Sequence, residues 1–179
     1  MKIVKKILLG VLAVVVILLI IGLLMKKDYH VEREVVINKP ASAVFNYIKF
    51  LKNQANYSVW AKMDPNAEMK FNGVDGTVGF ISAWDSKVKN VGAGEQEIKA
   101  IKFNERIDYE LRFKRPFSCT DKAYMITDSI SVTQTKVKWG VDGKMHYPMN
   151  IMLPMMNMNK MLGSDLQSNL NNLKVLLEK

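Results

Sequence analysis

From Ile7 to Met25 the chain reads ILLGVLAVVVILLIIGLLM, 19 residues without a charge or a strongly polar group. At a helical rise of about 1.5 Å per residue, this run nearly matches the ~30 Å hydrocarbon layer of a bilayer. Lys2, Lys5 and Lys6 precede it, and Lys26 and Lys27 follow it. A secretory signal has a shorter apolar core, roughly 7–15 residues, and ends in a small-residue cleavage site. Here GLLMKKDYH offers no such site and sets lysines where cleavage would fall. Residues 1–27 are therefore expected to form an uncleaved, single-pass membrane anchor with basic flanks, leaving 28–179 as one domain. The lysine excess before the span favours an inside N-terminus, which puts the domain on the outer, periplasmic side of the cell membrane.

The net charge of +9 belongs largely to that anchor. Without the five lysines of residues 1–27, 21 basic residues stand against 17 acidic ones, an excess of +4. Such an excess suits an anionic membrane surface. No basic helix, arginine-rich run or aromatic–basic interleaving occurs, so nucleic acid is not an expected partner. Cys119 is the single cysteine. It excludes an intramolecular disulfide, and no Cys–His signature surrounds it to mark a nucleophile.

Hydrophobic periodicity orders the rest. Tyr29 to Lys39 reads as a strand, with Val31, Val35 and Ile37 on one face. Pro40 opens a helix whose apolar face is Val44, Phe45, Ile48 and Leu51, and a short helix or turn runs on to Pro65. AEMKFNG and TVGFISAW then form a hairpin around Val74 and Asp75, and GEQEIKAIKF and RIDYELRF are joined by Asn104 and Glu105. Ile107, Tyr109, Leu111 and Phe113 alternate with Arg106, Asp108, Glu110 and Arg112, the pattern of an antiparallel strand with one wet face. KAYMITDSISV and KVKWGVDGKM make the last hairpin. The tetrapeptide GVDG at 73–76 and again at 140–143 reads as two turns.

A long helix is expected from about Pro148 to Leu177. Its stripe is Met152, Met155, Met156, Asn159, Leu162, Leu166, Leu170, Leu173 and Leu177, with a kink or restart at Pro154. Gly163 inside it costs about 1 kcal/mol relative to alanine, a cost that close approach to the sheet would explain. The order of elements predicts an α+β fold, an antiparallel sheet curved around the final helix so that the two bound a cavity.

Seven of the twelve methionines fall between Met145 and Met161. Clustered thioethers suit Cu(I), but His146 is the only nearby histidine and the spacing continues the leucine stripe. As plain core they specify packing poorly, because methionine keeps many conformers. A deformable wall over a cavity for apolar ligands accounts for both the residue choice and its restriction to one end of the helix. No metal and no cofactor is expected.

The segments HVEREVVINKPASAVFNYI, WAKMDP and above all MNMNKMLGSDLQSNLNNLKVLLEK resemble the START-like (SRPBCC) proteins of polyketide cyclase/dehydrase type, over essentially 29–179. They are most similar to a bacterial subgroup carrying an N-terminal apolar span. The resemblance implies a helix-grip fold of the START/Bet v 1-like kind with a hydrophobic tunnel between sheet and helix. The end motif says little about ligand or reaction, and the fold by itself does not give a function.

Strand parity selects Phe80, Trp84, Tyr109, Phe113 and Trp139 as the aromatic lining of that tunnel. Trp60 joins them from the short helix, and Met152, Met155, Met156 and Leu162 from the long one. Acid–base chemistry would need a buried polar pair there. Glu32, Asp108 and Glu110 fall on the polar faces of strands, and Asp85, Asp128 and His30 have no visible partners. No Ser–His–Asp pattern, metal-spaced His/Cys cluster or glycine-rich phosphate loop is present. The reading is a membrane-tethered binder of a hydrophobic small molecule or lipid that performs no chemistry. Its alternatives are a cyclase/dehydrase-like enzyme on a hydrophobic substrate and a protein-interaction module with a Met-rich docking surface.

Overall fold

In the computed structural model, which describes residues 2–179, helix α1 (Lys2–Leu24) leads into strand β1 (Asp28–Ile37). Helix α2 (Ala41–Ile48), a 3-10 turn (Leu51–Asn56) and the short helix α3 (Val59–Met63) follow. Strands β2 (Glu68–Asn72), β3 (Ile81–Asp85), β4 (Ala93–Lys102), β5 (Arg106–Arg115), β6 (Cys119–Ser131) and β7 (Gln134–Lys144) come next. A 3-10 segment (Met149–Met152) precedes the last helix, α4 (Met158–Leu177). Residue 1, where the predicted anchor begins, lies outside the described residues. Helix α1 is long and apolar enough to cross a membrane, and most of it is exposed.

The strands form one curved antiparallel sheet in the order β1-β7-β6-β5-β4-β3-β2. Alternation decides its two faces. Val31 and Ile37 of β1, Val137, Trp139 and Val141 of β7, Ala123 and Met125 of β6, and Ile107 and Tyr109 of β5 are buried on the inner face. Outward-pointing neighbours stay wet: Arg112 donates to Glu95 and Glu97 at 2.6 Å and pairs with Glu110. Asp108 pairs with Arg106, Asp128 with Lys138, Asp85 with Arg115, and the Tyr124 hydroxyl donates to Glu32. His30 lies 2.7 Å from Asp142 across β1 and β7.

Helix α4 packs along β1 with Leu166, Leu170 and Leu173 fully buried. Each such leucine contributes about 1.5–3 kcal/mol. Its polar positions tie down the α3 region: Asn169 accepts from the Val59 amide at 2.7 Å, Asn172 donates to the Tyr57 carbonyl at 3.0 Å, and Asp165 accepts from the Trp60 indole at 3.2 Å.

Three local expectations are corrected. The final helix does not begin near Pro148. Pro154 has no amide proton to offer, and Asn157 takes over as the N-cap, its side chain accepting from the Lys160 amide at 2.9 Å, so regular α-helix starts at Met158. Strand β3 begins at Ile81 and not at Thr77, because Gly73, Gly76 and Gly79 all adopt positive φ and make residues 73–80 a connection. The two GVDG copies differ. The first is a turn whose Asp75 accepts from the Leu51 and Lys52 amides, whereas the second lies inside β7. There the Tyr124 ring covers Gly140 and the Tyr29 ring covers Gly143, so a side chain at either glycine would collide with an aromatic ring.

Candidate functional site

Where α1 ends, the chain turns into β1 past the loop that precedes α4, and a groove of about 540 Å³ opens between them. Met25 and Lys26 from the linker form one wall, Asp28, Tyr29 and His30 from β1 the floor, and Leu153, Pro154, Met156 and Met158, with Asn157 and Asn159 between and after the last two, the other wall. Pockets that hold small ligands span roughly 300–1,000 Å³ and are mostly apolar with few polar groups. A second, smaller depression of about 180 Å³ lies at the far end of α4, beside Asn172 and Leu176.

Behind the groove sits a polar cluster. The Tyr29 hydroxyl donates to Asp121 Oδ2 at 3.0 Å, and the Lys144 amide donates to Asp121 Oδ1 at 3.1 Å. Asp121 is buried, and burial raises its carboxyl above the ordinary range despite those two donors, which act the other way. The same burial, with Asp121 beside it, holds the Tyr29 phenol protonated well above its usual value. Cys119 Sγ stands 4.0 Å from Asp121 Oδ2, and burial pushes its thiol up to about 11. Among the described residues no group of three His, Cys, Asp or Glu side chains is arranged to hold a metal ion.

The inner face carries a second set of groups. Trp139 meets Tyr57 and Trp60 edge to face, with ring centroids 6.1 and 6.3 Å apart. Tyr57 and Tyr109 are fully buried, and neither hydroxyl has a hydrogen-bond partner among the described residues. Burial drives both phenols far above their normal range, and each lies close enough to another tyrosine to be raised further, Tyr57 by Tyr47 and Tyr109 by Tyr57. An unpaired hydroxyl in an apolar interior costs about 1–3 kcal/mol.

The residues selected from the sequence divide accordingly. Trp60, Tyr109 and Trp139 belong to the inner apolar cluster, with Leu162 half-buried beside it. Phe80 is buried in the same cluster and also stacks on Phe71 at 6.1 Å, whereas Trp84 meets Phe113 at 5.9 Å in a separate pair along the sheet. The methionines leave the interior. Because α4 starts only at Met158, Met152 and Met155 precede it and are 45 % and 86 % exposed, while Met156 faces the groove. Sequence reasoning passed over Asp121, Tyr29 and Tyr57. Parity in CTDKAYMIT would have found the first: Asp121, Ala123, Met125 and Thr127 share the inward face and are all buried.

No family model matches the chain, and no curated protein does. Solved structures do. A protein from Nitrosospira multiformis aligns over 83 % of this chain and 96 % of its own, with a TM-score of 0.60 at 16 % identity. Norcoclaurine synthase from Thalictrum flavum aligns over 88 % and 91 %, TM-score 0.61, 10 % identity. Ara h 8.0201 aligns over 84 % and 97 %, TM-score 0.53, 12 % identity. At these identities the likeness is one of fold: a Bet v 1-like helix-grip domain with an apolar helix before it.

Proposed function

We propose that this chain is a membrane-tethered binder of a hydrophobic small molecule or lipid, with residues 1–27 as a single-pass anchor and 28–179 as the binding domain on the outer side of the membrane. The groove of about 540 Å³ at the foot of α1 carries the reading. Its methionine wall adapts to apolar shapes, Lys26, Asp28, His30 and Asn157 set polar groups beside that wall, and it adjoins the helix that would bring the domain to its ligand. The buried hydroxyls of Tyr57 and Tyr109 support a second, deeper contact for a ligand with one polar group, in the aromatic cluster with Trp60 and Trp139. Retention of the anchor is supported by Met25 and Lys26, which supply a wall that cleavage would remove.

The test is native mass spectrometry of the full chain released from detergent micelles, with solvent extraction of what it carries. One apolar molecule per chain, lost in a Met156→Arg variant, is the expected result. A protein that carries nothing and binds no hydrophobic probe sinks the proposal.

A catalytic reading has one observation in its favour: Asp121, buried and hydrogen-bonded to Tyr29, which itself floors the groove. A carboxyl raised by burial at the edge of a pocket is the arrangement that acid–base chemistry uses. It predicts that wild type and Asp121→Asn purify with chemically different molecules, substrate accumulating in the variant. Identical contents in both leave binding alone.

A further inference from the structure

The segment between β7 and α4 is fastened to α1 at a depth that the helix itself defines. Asn150 is fully buried, and its side-chain amide donates to the Gly22 carbonyl at 2.6 Å and to the Met25 carbonyl at 3.4 Å. These are the carbonyls that a helix leaves without partners at its C-terminal end. Next to it, Ile151 packs on Gly22 so closely that a Cβ there would lie 2.7 Å from Ile151 Cγ1, with the Tyr147 ring 3.4 Å away. Gly22 stands two positions inside the end of α1 at Leu24, which corresponds to about 3 Å along the axis, on the apolar side of that end.

Around this fastening the side chains are apolar and uncovered. Tyr147, Met149, Met152 and Met155 are 39 %, 44 %, 45 % and 86 % exposed. Phe117, also exposed, lies in the β5–β6 connection at the same end of the sheet, since Cys119 begins β6 beside the end of β7. Lys26 and Lys27 follow the span at this level. Tyrosine favours the boundary between headgroups and acyl chains, and lysines there meet anionic headgroups.

We infer that residues 147–155 form a membrane-dipping element, clamped to the last turn of α1 by Asn150, which submerges Tyr147, Met149, Met152 and Met155 in the interfacial layer of the bilayer that α1 spans. The groove then opens sideways onto lipid, and acyl chains reach Met156 and Met158 without crossing water. Flexible unbranched side chains suit this position, because fluid lipid offers no fixed shape to pack against. The inference rests on the tethered reading of α1.

Both are tested at once with the full chain in vesicles of phosphatidylcholine and phosphatidylglycerol. An environment-sensitive fluorophore is attached through Met152→Cys, Met155→Cys, Leu12→Cys within α1, or Val132→Cys, each in a Cys119→Ser background. Val132 is 87 % exposed in the β6–β7 turn at the opposite end of the sheet. Quenching by nitroxide-labelled lipid is expected to be at least threefold stronger at positions 152 and 155 than at 132, and strong at 12. Quenching at 12 with positions 152 and 155 no different from 132 overturns the dipping element while leaving the anchor in place. Absence of quenching at 12 overturns the tether, and the dipping element with it.

Discussion

Arg33 and Gly163 share one space: the guanidinium of Arg33, reaching from β1, occupies the position that a side chain at residue 163 of α4 would need. Arg33 Nη2 donates to the Asn159 carbonyl at 2.6 Å, one turn earlier in the same helix. A mid-helix glycine that costs about 1 kcal/mol is thereby exchanged for a hydrogen bond from a charged donor, worth about 1.5–3 kcal/mol.

This relationship predicts a reversal of sign. Gly163→Ala alone is expected to destabilise the domain by about 1 kcal/mol, since the helix-propensity gain is smaller than the charged hydrogen bond it displaces. With Arg33→Ala already present, the same substitution is expected to stabilise by about 1 kcal/mol. Chemical denaturation of the four proteins in mild detergent measures the coupling. Equal effects of Gly163→Ala in both backgrounds would remove Arg33 as the reason for the glycine.

Tyr57→Phe and Tyr109→Phe are each expected to raise stability, by about 1 kcal/mol, because each removes a buried hydroxyl that has no partner and leaves the ring in place. The same variants are expected to weaken retention of a ligand bearing a hydroxyl or carbonyl and to leave a purely aliphatic one unaffected. A loss of stability beyond 1 kcal/mol in either variant would mean that the hydroxyl is satisfied in solution.

Asp121 predicts a pH dependence. Its carboxyl is held above the ordinary value of 3.8, chiefly by burial, so the folded protein keeps a proton there that the unfolded chain releases. Stability supplied by this group is complete below 3.8 and is lost as pH rises through the raised folded value. Asp121→Asn keeps an acceptor for one of the two donors and carries no charge to bury. The variant is therefore expected to gain on wild type as pH rises from about 4 through the raised folded value, and to hold that gain above it, read from paired denaturation curves. A difference independent of pH counts against a buried, titrating Asp121.

Cys119 is expected to be chemically quiet at neutral pH. With its thiol near 11, the reactive thiolate is roughly one part in a thousand at pH 8. Alkylation by iodoacetamide should be slow at pH 8 and accelerate about tenfold per pH step until the thiol titrates. Fast labelling at pH 7 would place the sulfur in open solvent.

The order of elements, the seven strands, the wet face of β5 and the leucine stripe of α4 were legible in the chain because periods of 2 and 3.6 are local properties, tied directly to which side chains leave water. The inner-face positions of Tyr109 and Trp139 followed from strand parity, and so would that of Asp121 have done. The interior position expected for Met152 and Met155 did not hold, because the periodic stripe runs on both sides of Pro154, and helix entry was decided by the Asn157 cap three residues after it.

What the sequence by itself determined, then, is the set of elements and the face each one buries. The tertiary structure decided everything that rests on pairs distant in the chain. Tyr29 finds Asp121 across 92 positions, and Asn150 finds Gly22 across 128. Gly140 and Gly143 lie in a strand with aromatic rings from β6 and β1 covering them, while the same tetrapeptide at 73–76 is a turn with positive φ at both glycines, held by Asp75 to the Leu51 and Lys52 amides. A pattern read along the chain records how each residue meets water. It does not record which distant residue will take the water's place.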